Sequence, residues 1–194
     1  GFIFIIIKMN PVEVYEGIVE GAVGTGRRFW VTARDALTLL CVAVAVTPAF
    51  KMKFWNIGAE GQILMGCVAS AAMMIYAGNA LPTGLLIVLM FVCSFIAGGI
   101  WGIIPAFFKA RWNTNETLFT LMLNYVAMQV VTFCIVYWEN PAGSNSVGII
   151  NAPTRAGWLP QLFGLDYGWN LAIVLLLTVL MFIYMKRTKH GYEI

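Results

Sequence analysis

The apolar run at residues 84–108 limits what this chain can become more than any other feature. A helix of that length is about 38 Å long, more than a hydrocarbon layer of roughly 30 Å requires. Four further apolar segments accompany it, at residues 36–50, 57–77, 118–138 and 171–185. Two of them, 57–77 and 118–138, reach the roughly 20 residues of a span. Segment 171–185 does so only if Trp169 and Asn170 extend it at the interface. Segment 36–50 is too short and carries Pro48, so it is expected to be short or bent. Composition agrees with this pattern. Hydrophobic side chains make up 60% of the 194 residues and charged ones 11%, and mean hydropathy is +0.82. A soluble domain of this size has too much surface for its volume to hide so much apolar area.

The expected fold is all-α. It is a polytopic integral membrane protein with about five transmembrane helices, one of them discontinuous. Residues 1–7 are apolar but too short to cross, and are expected to be the tail of a further transmembrane helix, so the chain reads as a partial one.

The scarce residue types remove several function classes. A net charge of +3 is too small to imply a nucleic-acid partner. His190 is the single histidine, which disfavours a multi-histidine zinc site or a Ser-His-Asp triad. No Gly-Lys dipeptide occurs, so there is no phosphate loop of the Walker type. Cys41, Cys67, Cys93 and Cys134 stand singly in apolar stretches and read as small hydrophobes.

Basic residues orient the spans. Lys51, Lys53, Lys109, Arg111, Lys186, Arg187 and Lys189 fall on one side, against Lys8, Arg27, Arg28, Arg34 and Arg155 on the other. The positive-inside rule makes the side with seven cytoplasmic. Trp30, Trp55, Trp112, Trp138 and Trp169 lie at span ends, where amphipathic rings favour the interface. Residues 11–28 set Val12, Tyr15 and Val19 against Glu13, Glu16 and Glu20 on separate helical faces, the pattern of an interfacial amphipathic helix. Residues 139–168 hold Pro141, Pro153, Pro160 and several glycines, and are expected to form an irregular extracytoplasmic loop, either a plain connector or a contact for a soluble partner.

Polar residues beside the spans are the informative ones. Trp55-Asn56-Ile57-Gly58-Ala59-Glu60-Gly61-Gln62 follows the short segment and resembles the break of a discontinuous helix, which commonly lines a substrate path. Asn56 and Glu60 are four apart and would share a face. The alternative is that Asn56 caps the helix and Glu60 complements its positive end. Farther on, Asn113 and Glu116 have capping-box spacing, and Thr117, Thr120 and Asn124 form a polar stripe entering the membrane. Asn124 needs a partner, either a neighbouring helix or a polar solute. Gly98 and Gly102 permit close helix packing.

The same stretches carry a family resemblance. Phe54-Trp55-Asn56-Ile57-Gly58-Ala59-Glu60-Gly61-Gln62 resembles the F-N-I-G-A-E-G-Q signature of permease subunits of bacterial ABC importers for nucleosides. These belong to a wider group of simple-sugar and branched-chain amino-acid type permeases. Gly102-Ile-Ile-Pro105-Ala-Phe-Phe-Lys109-Ala110-Arg111 is similar to that family's G-x-I-P-x-x-x-K-A-R. Asn115-Glu116 with Thr120-Leu-Met122-Leu123-Asn124-Tyr125 is similar to its N-E-x-x-x-T-x-M-L-N-Y. The resemblance implies that residues 1–194 are one transmembrane permease domain, the N-terminal half or slightly more of a ten-span permease in a bacterial inner membrane.

It also implies a translocation path for nucleosides or related sugar-containing solutes, and no catalytic role. Asn56, Gly58, Glu60, Gly61 and Gln62 would shape or gate the path, Thr120 and Asn124 would line it, and Lys51, Lys53, Lys109 and Arg111 would anchor the cytoplasmic end. No cofactor is expected in this chain, because cytoplasmic ATPase subunits would bind ATP. Further implied partners are a second homologous permease and an extracytoplasmic solute-binding lipoprotein or periplasmic protein. Two other classes compete with this reading. One is an ion-coupled secondary transporter with Glu60 or Glu116 as proton carrier. The other is an intramembrane enzyme, disfavoured because no histidine or aspartate falls in an expected span.

Overall fold

The computed structural model describes residues 10–162 and 168–193, so residues 1–7 and their expected helical tail lie outside it. Among the described residues the regular elements are helices: α1 (Pro11–Val23), α2 (Gly26–Lys51), α3 (Ala59–Ala77), α4 (Thr83–Trp112), α5 (Glu116–Tyr137), α6 (Gly168–Arg187) and the short α7 (Lys189–Glu193). Five of them, α2 to α6, are long and apolar enough to cross a membrane. Their surfaces suit that solvent, with Leu39 72%, Phe95 82% and Phe133 69% exposed. This is a multi-pass, all-helical membrane protein.

The chain divides into two units, one up to Ala45 together with Gln161–Glu193 and one over Val46–Pro160. In the first, Asn10 caps α1 by accepting from the Val12 N–H at 3.0 Å, with proline in the first turn. The amphipathic stretch expected over 11–28 ends earlier, at Val23, and Arg27 and Arg28 open α2. The turn is tied by the Thr32 hydroxyl, which donates to the Ala22 carbonyl at 2.8 Å. No residue of α1 is buried. At the other end of the unit, α6 includes Trp169 and Asn170, which bring it to span length.

α2 corrects the expectation of a short segment at 36–50, because it starts ten residues earlier. Arg27, Arg28, Arg34 and Asp35 depress hydropathy in its first turns without opposing a helix. Arg34 and Asp35 pair at 2.7 Å. Pro48 lies within the helix, and the Met52 N–H still reaches the Pro48 carbonyl at 3.1 Å. The break after Lys51 is therefore a link, residues 52–58, between two helices that are each long enough to span.

In the unit over Val46–Pro160, α4 and α5 both pack on α3. Small residues allow the approach. The Ser94 hydroxyl donates to the Gly66 carbonyl at 2.9 Å, and Ser70 and Ser94 share a hydrogen bond. A side chain at Gly98 or Gly102 would press on Gln62 of α3, at 3.1 and 3.0 Å.

The turn from α4 to α5 departs from the expected capping box. Asn113 adopts a left-handed conformation, φ 49°, and ends α4, its N–H on the Lys109 carbonyl at 2.9 Å. It cannot also start the next helix. Asn115 caps α5 by accepting from the Leu118 N–H at 3.2 Å, and Glu116 is the first helical residue. Beyond α5, residues 139–160 are irregular, as proline and glycine required, yet anchored. Asn151 donates to the Met74 carbonyl at 2.8 Å, the Trp138 indole donates to the Tyr76 hydroxyl at 2.8 Å, and Gly157 packs against Met74, Leu86 and Met90.

Candidate functional site: a polar clamp at the start of α3

The N-terminal amides of a helix need acceptors that the helix itself does not supply. At α3 the capping position is Gly58, which has no side chain for the task. The acceptors arrive from elsewhere. Asn56 Oδ1 takes the Gly58 N–H at 2.9 Å. Asn124 Oδ1, on α5, takes the Gly61 N–H at 2.9 Å. The same Asn124 amide donates from Nδ2 to the Ile57 carbonyl at 3.0 Å, and Thr120 Oγ1 accepts from the Ile57 N–H at 3.3 Å. One turn and a half of α5 thus caps α3 from the side.

Both glycines of the motif are explained by proximity. A Cβ at Gly58 would lie 3.0 Å from Thr120 Cβ and 3.0 Å from Asn56 Oδ1. One at Gly61 would lie 2.9 Å from Asn124 Oδ1 and 3.0 Å from Trp101 Nε1. That indole nitrogen is buried and has no hydrogen-bond partner among the described residues.

The site residues chosen from the sequence therefore separate. Asn56, Gly58, Gly61, Thr120 and Asn124 come together, with Gln62 turned to Gly98 and Gly102 of α4. Thr120 is 0% exposed and Asn124 4%, so their polar atoms serve backbone groups. Asn56 is not the helix cap, since the chain is not yet helical there, and it shares no helical face with Glu60. Glu60 is exposed and belongs to no ion pair among the described residues. Lys51 and Lys53 are likewise exposed. Lys109 pairs with Glu116 at 2.9 Å across the α4–α5 turn, and the Arg111 guanidinium lies 5.9 Å from the centre of the Trp112 ring.

Trp101 was not among the residues the sequence singled out. It stands in an apolar stretch of α4, and no local pattern shows that its ring meets Gly61. The Lys109–Glu116 pair was equally unannounced. The spacing of seven puts the two residues on opposite sides of a turn, and the left-handed Asn113 brings them together.

Comparison with known proteins places the chain in a family. The family model for the branched-chain amino acid transport system / permease component matches residues 31–194. The chain is 29% identical over 195 residues to the nucleoside ABC transporter permease protein NupB of Lactococcus lactis, covering 95% of this chain and 53% of that protein. It is 28% identical over 199 residues to the guanosine ABC transporter permease protein NupP of Bacillus subtilis, covering 99% and 55%. It is 27% identical over 210 residues to the glucose ABC transporter permease protein TsgB13 of Haloferax volcanii, covering 100% and 53%. The chain spans about half the length of these curated relatives. No solved structure matches it significantly. With the family model covering most of its length, the chain belongs to the branched-chain amino acid transport system / permease component family.

Proposed function

We propose that this chain forms part of the membrane path of an ATP-driven importer for nucleosides or related neutral, sugar-containing solutes. One observation carries the choice of a neutral solute. No charged residue occurs from Gly61 to Phe108 or from Thr117 to Trp138, so α3, α4 and α5 offer only neutral hydrogen-bonding groups between their ends. Two of the relatives are named for nucleoside or guanosine transport and one for glucose, which supports the same solute class.

In this reading the chain is a transporter subunit and no enzyme. It holds no cofactor. Cytoplasmic ATPase subunits hydrolyse ATP, a second permease completes the path, and an extracytoplasmic binding protein delivers the solute. The clamp at Gly58–Gly61 keeps the start of α3 rigid beside that path, leaving Glu60 and the basic ends Lys51, Lys53 and Lys109–Arg111 toward the ATPase side. Ion coupling is less well supported, because Glu60 and Glu116 both stand in the first turn of their helices and Glu116 is already paired with Lys109. The test is uptake of labelled guanosine and glucose in cells that express the intact importer. Uptake should survive collapse of the proton gradient while ATP is maintained, and should stop when the ATPase subunit is inactivated. Loss of uptake with the gradient alone would select the ion-coupled transporter.

A further inference from the structure

α5 has a second polar face that the clamp does not use. Gln129 is the fourteenth of its 22 residues, about 20 Å along the helix and well inside a span. It lies two residues past Ala127, about 200° around the axis, and so points away from the face of Thr120, Asn124 and Ala127 that is buried. Gln129 is exposed. Tyr125 precedes it by four residues and Thr132 follows by three, so the three share one face, and both neighbours are exposed as well. The ladder is about 10 Å long. The Thr132 hydroxyl donates to the Met128 carbonyl at 2.9 Å, which leaves its oxygen able to accept. The Gln129 amide offers two donors and an acceptor, and the Tyr125 hydroxyl one of each.

A primary amide at mid-span is costly against lipid, so this face meets something polar. A close helix–helix contact is the other candidate. The contacts this chain does make use small residues, as at Gly61, Gly66, Ser70, Ser94 and Gly98. The outward face of α5 instead sets Leu118, Met122, Tyr125 and Val136 around Gln129, with Thr132 its one small member, and this bulk opposes close approach.

We infer that Tyr125, Gln129 and Thr132 of α5 form a solute-binding face of the translocation path, recognising the hydroxyl and amide-like groups of a neutral solute. The inference rests on the proposed function for its solute class and on the geometry of α5 for its place.

The test uses the intact importer with Cys41, Cys67, Cys93 and Cys134 replaced by alanine, and single cysteines introduced at positions 125, 129 and 132 and, as controls on the exposed apolar surface of α4, at 92 and 95. A charged, membrane-impermeant methanethiosulfonate should label 125, 129 and 132 at least tenfold faster than 92 and 95, and saturating guanosine should slow that labelling severalfold. In parallel, Gln129→Leu should raise the KM for guanosine uptake about tenfold at unchanged membrane abundance, with Gln129→Asn partly restoring it. Uniformly slow labelling at all five positions, rapid labelling that neither guanosine nor glucose slows, or a fall in abundance that accounts for the lost uptake would each overturn the inference. Protection by glucose and not guanosine would keep this face in the path and overturn the nucleoside reading alone.

Discussion

Asn124 illustrates how one buried amide can decide the geometry of two spans. Its oxygen and nitrogen reach Gly61 and Ile57, on either side of the point where α3 begins. Removing it leaves an N–H and a carbonyl without partners in a region where water is scarce. Asn124→Leu in the full-length protein should cost about 1–2 kcal/mol, read as a lower thermal midpoint in detergent. Gly61 acts through space. A leucine there would drive into the Asn124 amide and the Trp101 ring, so Gly61→Leu should lower membrane abundance and uptake in step. Normal abundance with lost uptake would instead put Gly61 on the solute path. That Asn56, Gly58, Gly61, Thr120 and Asn124 need polar partners or close neighbours was legible from polar and small residues in apolar surroundings. Their mutual contact was not, because periodicity assigns a residue to a face without saying what that face meets. Gln129 escaped notice for the same reason, a lone amide with no motif to mark it.

Among elements, the α4–α5 turn is set by a single backbone conformation. Asn113 sits at φ 49°, where asparagine and glycine are tolerated and a β-branched residue is not. Asn113→Gly should change stability by a few tenths of a kcal/mol, whereas Asn113→Val should cost about 1–2 kcal/mol and weaken the Lys109–Glu116 pair. A comparison of thermal midpoints for the two variants checks this. The capping-box spacing of Asn113 and Glu116 pointed to the right turn and the wrong residue, since Asn115 supplies the cap. α2 shows the opposite failure. Apolar length alone found residues 36–50 and missed the charged turns before them, because hydropathy measures fitness for lipid and helix formation depends on the backbone.

At the scale of the molecule, the five spans among the described residues and their helical character were readable from segment length, because a bilayer imposes both. The sidedness that basic residues imply remains directly measurable within the unit over Val46–Pro160. A cysteine replacing the exposed Ser144 should react with an impermeant reagent applied outside intact cells, and one replacing Lys109 should not. The reverse pattern would invert the assignment. The docking of residues 139–160 onto α3 and α4 was beyond sequence reasoning, since Asn151 and Met74 are 77 positions apart.

The cap that α5 lends to α3 also has a consequence in time. Gly61 and Asn124 are separated by 63 positions. At roughly 5–20 residues per second, a ribosome needs about 3–13 s to make that interval. α3 is complete once Ala77 is made, and from then until Asn124 is added the amide it will give to α5 has no acceptor. The hairpin of α3 and α4 must therefore wait at the translocon or in the lipid as an unfinished assembly, and chain synthesis itself sets the earliest moment at which it can lock.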